Sequence, residues 1–194
     1  MLFLCNHKVI PEETDLMNIV LYEPEMPGNT GNIGRTCAAT GTALHLIEPI
    51  GFHLNERAVK RSGMDYWEKV EVYRYADYAD FLVRNPGARI WYLTTKAHQC
   101  YTDVSFAPDD FLMFGKESAG IPEKILVENE ARCIRIPMNA EIRSLNLASS
   151  AAIVLYEALR QNGFFGMEKQ GQLHELTWST KESDNRNVVR ASEK

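Results

Sequence analysis

Apolar and polar positions alternate along this chain in short blocks. The apolar runs Asn18–Tyr22, Leu44–Glu48, Val70–Tyr73, Ile90–Thr94, Phe111–Phe114 and Cys133–Ile136 read as strands, bounded by turn-forming or charged residues. Between and after them, Gly31–Thr40, Glu56–Gly63, Tyr78–Arg84, Pro122–Glu128 and Leu145–Asn162 read as helices. The last is the clearest. Leu147, Ala151, Val154, Leu155, Ala158 and Leu159 recur at three- and four-residue steps, and Gly163 follows as a stop. Strands that are apolar throughout and alternate with helices predict an α/β fold, with a mostly parallel sheet covered by helices on both faces. Sheets of this kind bind ligands beyond the carboxyl ends of their strands, so the loops after strands are the places to search.

The ends differ from the middle. Residues 1–16 form a polar lead with Pro11 and three acids, read as an extension, with Met17 as an alternative start. Residues 168–194 are rich in Gln, Ser, Lys, Glu and Asn and read as a flexible tail. A single domain is therefore expected over 17–167. Residues 1–10 lack the charged start and cleavage site of a signal peptide, and no apolar run approaches a membrane span. Cysteines at 5, 37, 100 and 133 are far apart and form no CxxC pair, which points to a reducing cytoplasm and away from a zinc ribbon. The net charge of the whole chain is −5, so no global positive field exists to attract nucleic acid. RNA binding would need a local patch, or one assembled across two subunits.

Candidate chemistry lies in three loops. The first, Pro24 to Arg35, carries Asn29 and glycines at 28, 31 and 34 ahead of and into a helix. Glycine and asparagine permit close backbone approach, free helix N–H groups attract an anion, and Arg35 could fork onto phosphate. A plain turn and helix cap with a solvated Arg35 accounts for the same residues. So does a nicotinamide-dinucleotide fingerprint with Glu48 at the end of the next strand, although the glycines read GxxGxxG and not GxGxxG. The second loop is Phe114-Gly115-Lys116-Glu117-Ser118-Ala119-Gly120-Ile121-Pro122. Here Gly115 would let a flat ligand reach the backbone, while Glu117 accepts hydrogen bonds or simply caps helix amides. The third runs from Ile136-Pro137-Met138 to Arg143-Ser144-Leu145-Asn146-Leu147. Ser144 is a natural N-cap, whereas Arg143 opposes the helix dipole and so points to phosphate binding.

Together these loops resemble the SpoU–TrmD (SPOUT) RNA methyltransferases, and among them the small tRNA wobble-nucleotide 2′-O-methyltransferases (TrmL/YibK). The matching motifs are Asn29-Thr30-Gly31-Asn32-Ile33-Gly34-Arg35, Phe114 to Pro122, and Ile136-Pro137-Met138 with Arg143 to Leu147. LeuTyrGluPro at 21–24 and LeuThrThrLys at 93–96 add to the likeness. The resemblance implies a deep C-terminal trefoil knot, a homodimer, S-adenosylmethionine as methyl donor with no metal, and the tRNA anticodon loop as partner. It carries adenosine binding onto Leu93, Gly115, Ile136 and Ser144, with Met138 and Leu145 from the same loops. Arg35 maps onto the arginine that activates the ribose 2′-hydroxyl, with Asn29, Glu117, Ser144 and Asn146 as the other polar motif residues near the chemistry. Tyr156 matches an aromatic at the dimer interface, or is ordinary core. Where some members carry arginine, this chain has Ala119, which removes one possible RNA contact.

Charge placement adds an RNA expectation. Arg57, Lys60 and Arg61 share one helical face, and Lys96 and Arg143 lie nearer the cofactor loops; a solvated face paired to Glu56 is the plainer alternative for the first three. A ribosomal-RNA 2′-O-methyltransferase, a nicotinamide-dependent oxidoreductase and a non-catalytic RNA-binding module are the rival functions. The first often needs a separate RNA-binding domain, for which this chain has no room.

Overall fold

The structure is a computed structural model that describes residues 16–52, 67–176 and 178. Its strands are β1 (Asn18–Tyr22), β2 (Ala43–Ile47), β3 (Val72–Tyr75), β4 (Ile90–Leu93), β5 (Gln99–Cys100), β6 (Phe111–Phe114) and β7 (Cys133–Arg135). They form one sheet in the order β3-β2-β1-β6-β4-β7-β5, and every pairing is parallel. The helices are α1 (Pro27–Thr40), α2 (Tyr78–Arg84), α3 (Glu123–Glu128) and α4 (Leu147–Gln161).

Side chains alternate across the sheet and divide the core in two. On one face Ile19, Leu21, Leu44, Leu46, Leu112 and Phe114 pack with Ile33 and Cys37 of α1 and with Ala151, Val154, Leu155, Ala158 and Leu159 of α4. On the other, Val20, Ile90, Tyr92 and Met113 pack with Phe81 of α2 and Ile125 and Leu126 of α3. Burying each large apolar side chain contributes about 1.5–3 kcal/mol. Burial also pushes the Cys37 thiol up to about 12, so it stays a neutral packing group.

The predicted strands β1 and β6 and the helix α2 match to the residue. Asp77 starts α2 by accepting the Asp80 N–H at 2.8 Å. Three differences stand out. Helix α1 starts at Pro27, four residues before the expected Gly31, because proline at its first position supplies a helical φ and needs no donor. Strand β3 lies two residues further along than expected. Strand β5 is too short to leave an alternating pattern. The expected helix Glu56–Gly63 lies outside the described residues.

Strand order places the site. The chain steps outward from β1 to β3, returns to β4, and then inserts β6 between β1 and β4. The carboxyl ends of β1, β6 and β4 therefore open side by side at the point where the winding reverses, which leaves a crevice.

Candidate functional site

The loops that follow β1, β4, β6 and β7 enclose a cavity of about 660 Å³ at that crevice. A cavity of this size suits a small-molecule ligand. All six predicted cofactor residues line it: Leu93, Gly115, Ile136, Met138, Ser144 and Leu145. Asn29, Glu117 and Asn146 enter the same wall, as do Lys96 and Arg143.

A relay of side chains joins three of the loops. Asn29 is buried and donates from Nδ2 to Glu117 Oε1 at 2.9 Å. Its Oδ1 accepts from Asn146 Nδ2 at 3.0 Å. Asn146 Oδ1 in turn accepts the N–H groups of Ala148 and Ser149 at 2.9 and 3.2 Å. Asn146, not Ser144, is thus the N-cap of α4, and Ser144 stands two residues outside the helix cap on the cavity wall. This corrects the N-cap reading of Ser144. It has a clear cause: an amide can bond the helix and a neighbour at once, whereas a hydroxyl at 144 lies too far from the first turn.

The glycines follow the expectation in part. Gly31 and Gly34 lie in α1 as expected and Gly28 joins them, so no turn ahead of the helix is left for the phosphate-cradling loop of the dinucleotide reading. A Cβ on Gly34 would fall 2.5 Å from the Trp67 ring, so that glycine admits an aromatic neighbour. A Cβ on Gly115 would lie 2.1 Å from the Gly120 carbonyl carbon. The close approach at Gly115 is thus made by the chain's own loop, which returns through a Gly120 N–H to Lys116 O bond of 2.8 Å.

Other predicted residues fall elsewhere. Arg35 is exposed on α1 and is not part of the cavity wall. It lies six residues beyond Asn29, about 9 Å along the helix axis. Lys96 pairs with Glu123 at 2.5 Å, a solvent-exposed pair that competes weakly with other anions. Arg57, Lys60 and Arg61 lie outside the described residues.

The sequence pattern did not reveal a set of bonds between the loop after β1 and the loop after β6. Lys116 Nζ donates to Glu23 at 2.6 Å. Glu25 accepts the Ser118 N–H at 2.9 Å and the Ser118 hydroxyl at 2.8 Å. Glu117 Oε2 accepts the Glu25 N–H at 3.0 Å. The Ser118 bonds hold the Glu25 carboxyl below its ordinary range, and pairing with Glu23 raises the Lys116 ammonium. The only signal in the sequence is that acids at 23 and 25 follow the first strand's end.

Among the described residues no group of three or more His, Cys, Asp and Glu side chains could hold a metal ion. No helix among them is long and apolar enough to cross a membrane.

A parallel sheet with its cavity at the switch point, walled by the loops after β1, β4, β6 and β7, defines an α/β protein built to hold a small molecule there. Residues 16–156 match the SpoU rRNA Methylase family, and the chain belongs to it. It is 47% identical over 152 residues to the tRNA (cytidine(34)-2′-O)-methyltransferase of Escherichia coli K12, covering 78% of this chain and 97% of that one. A solved structure described as "Structural insights into the 2-OH methylation of C/U34 on tRNA" superposes with a TM-score of 0.70 at 42% identity, covering 76% of this chain and 97% of that one. An AdoMet-bound rRNA methyltransferase from Sinorhizobium meliloti gives 0.66 at 27% identity, over 75% of this chain and 56% of that one.

Proposed function

We propose that this chain is a tRNA 2′-O-methyltransferase. It moves a methyl group from S-adenosylmethionine to the ribose 2′-hydroxyl of the cytidine or uridine at wobble position 34, the nucleotide in the names of its relatives. The observation that carries this reading is the convergence of Leu93, Gly115, Ile136, Met138, Ser144 and Leu145 on one cavity. Those residues bring peptide N–H and C=O groups and apolar side chains, a donor set that fits a flat adenosine. The donor supplies a methyl carbon already activated by a sulfonium, so the chain itself must orient the hydroxyl, whose proton passes to solvent water as the carbon–oxygen bond forms and S-adenosylhomocysteine leaves.

Asn29, Glu117 and Asn146 order the wall through the relay, and Ser144 adds a hydroxyl to it. Arg35 meets the ribose and its phosphate from the RNA side of α1. An arginine stays charged because its pKa is above about 12, so its role is to stabilise negative charge developing on the 2′-oxygen. Arg143 and Lys96, with Arg57, Lys60 and Arg61, make up the RNA-facing charge.

The finer assignments belong to the same proposal. The working unit is a homodimer, supported by exposed Ile153 and Tyr156 on α4, one turn apart and outside its core stripe. The C-terminal segment threads a loop to make a deep trefoil knot. The catalytic domain spans 17–167, between an extension at 1–16 and a tail at 168–194, and the protein works in the cytoplasm. Ribosomal RNA is the second substrate class, favoured by the family's description.

Incubating the protein with bulk tRNA, ribosomal RNA and labelled S-adenosylmethionine, then analysing nucleosides by mass spectrometry, tests the reading. The expected product is 2′-O-methylated cytidine or uridine from the anticodon loop. Label in ribosomal RNA alone would assign the second class, and label in neither would end the proposal.

A further inference from the structure

Every residue of the loop 115–120 lines the cavity, yet little of it is secondary structure. Its two ends are fused: Gly115 packs on the Gly120 backbone, and Gly120 donates to Lys116 O. Its middle is tied to a different part of the chain, some 93 residues away. Glu25 accepts both the backbone N–H and the hydroxyl of Ser118. Glu117 answers by accepting the Glu25 N–H and an Asn29 amide proton. The tie is reciprocal, with each loop's carboxylate taking a backbone donor of the other.

A neighbouring feature shows that the local backbone is set for this contact. Glu23 has φ +48°, the left-handed region, and it is neither glycine nor asparagine. Such a conformation persists only where its surroundings over-determine it. Here the Glu23 N–H donates to Ile47 O at 3.0 Å, and its carboxylate takes the Lys116 ammonium. The strained turn directs residues 23 and 25 at the same short loop.

We propose that Glu25 is a positioning residue: by holding the Ser118 backbone it fixes the 115–120 loop against the start of α1, so that the cofactor cavity and the helix carrying Asn29 and Arg35 form one rigid unit. This rests on the methyltransferase reading above. Glu25 touches no reacting atom. It acts because the ligand is gripped by main-chain groups, whose positions depend on what holds the loop. Its carboxyl is solvent-exposed, so it adds little to global stability, and its effect is local. Its bonds are charge-assisted and partly to backbone, which makes them strong for their exposure.

The test compares the wild-type chain with Glu25→Ala, Glu25→Gln and Ser118→Ala. Calorimetry with S-adenosylhomocysteine reads affinity, turnover on tRNA reads kcat, and thermal unfolding reads stability. Glu25→Ala is expected to bind about tenfold more weakly and to lose turnover as well, with an unchanged melting temperature. Glu25→Gln, which keeps one acceptor oxygen, restores part of both, and Ser118→Ala shows a smaller loss. Full affinity and turnover in Glu25→Ala would overturn the proposal, as would losses that merely track a lowered melting temperature. If the wild-type chain fails to bind S-adenosylhomocysteine, the methyltransferase reading falls instead. Amide exchange at Ser118 then decides the tie by itself: faster exchange in Glu25→Ala supports it, and equal exchange refutes it.

Discussion

Two polar regions at opposite ends of the sheet solve different problems with similar bonds. At the carboxyl ends of the strands, Asn29, Glu117, Asn146 and Glu25 connect loops around a cavity. At the amino ends, Asp110 is fully buried and accepts from Arg89, from Trp91 Nε1 at 2.8 Å and from the Ala107 N–H at 2.9 Å. Beside it, buried His45 lies 2.8 Å from the Tyr75 hydroxyl and 3.0 Å from Asn18 Oδ1, and stacks on Tyr73. In the second region the protein closes over the groups themselves, with Asp110 and His45 both buried. Its bonds satisfy groups that burial would otherwise leave costly. The first region holds its groups around a space that another molecule can enter. Polar residues in a core therefore do not mark a site; polar residues arranged round a void do.

Variants that break one region and spare the other sharpen this contrast. The largest effect is expected at Arg35. Arg35→Ala should lower methylation by about 10³-fold, with S-adenosylhomocysteine affinity and stability near wild type, as read by turnover and calorimetry. Equal turnover would remove Arg35 from the chemistry.

At the other end, Asp110→Ala should cost about 3 kcal/mol of unfolding free energy in a denaturant titration, because it strands the Trp91 and Ala107 donors and the Arg89 charge. A loss below about 1 kcal/mol would show that the region is not the structural anchor described.

His45 gives the same region a pH signature. Burial, with Arg84's positive charge behind it, lowers its folded pKa to about 4. The unfolded chain protonates first, near its ordinary value of about 6.5. Stability from this group is thus fully present above pH 6.5 and declines as pH falls toward 4. Over that window the wild-type chain should lose about 3 kcal/mol more unfolding free energy than His45→Gln, as read by denaturant titrations at each pH. Parallel curves would assign the acid sensitivity elsewhere.

The smallest effect is expected at Asn146. Asn146→Ala removes the α4 cap and one Asn29 bond, for about 1 kcal/mol of stability. Unlike Asp110→Ala, it should also weaken cofactor binding, since it sits in the cavity wall. Substituting Asn146 by Ser, which caps the helix but cannot reach Asn29, separates the two roles.

Much of the fold is legible in the sequence alone. Short apolar blocks bounded by turn-forming or charged residues locate β1, β6 and α2 to the residue, because such blocks are properties of neighbours in the chain. The motif loops point to the cavity residues, because those residue types follow strands at the carboxyl ends. Where local signals compete, the pattern misleads. Ser144 looks like a cap because serine commonly is one, yet Asn146 holds that place.

By itself the chain's sequence determined the class of fold, six of its seven described strands in order and three of the loops that wall the cavity. Those depend on short-range geometry and residue type. Only the tertiary structure decided which groups meet across them: Asn29 with Asn146, 117 residues apart, and Glu25 with Ser118. These meetings follow from β6 entering the sheet between β1 and β4. That insertion is set by the packing of both faces at once, and no local pattern along the chain encodes it.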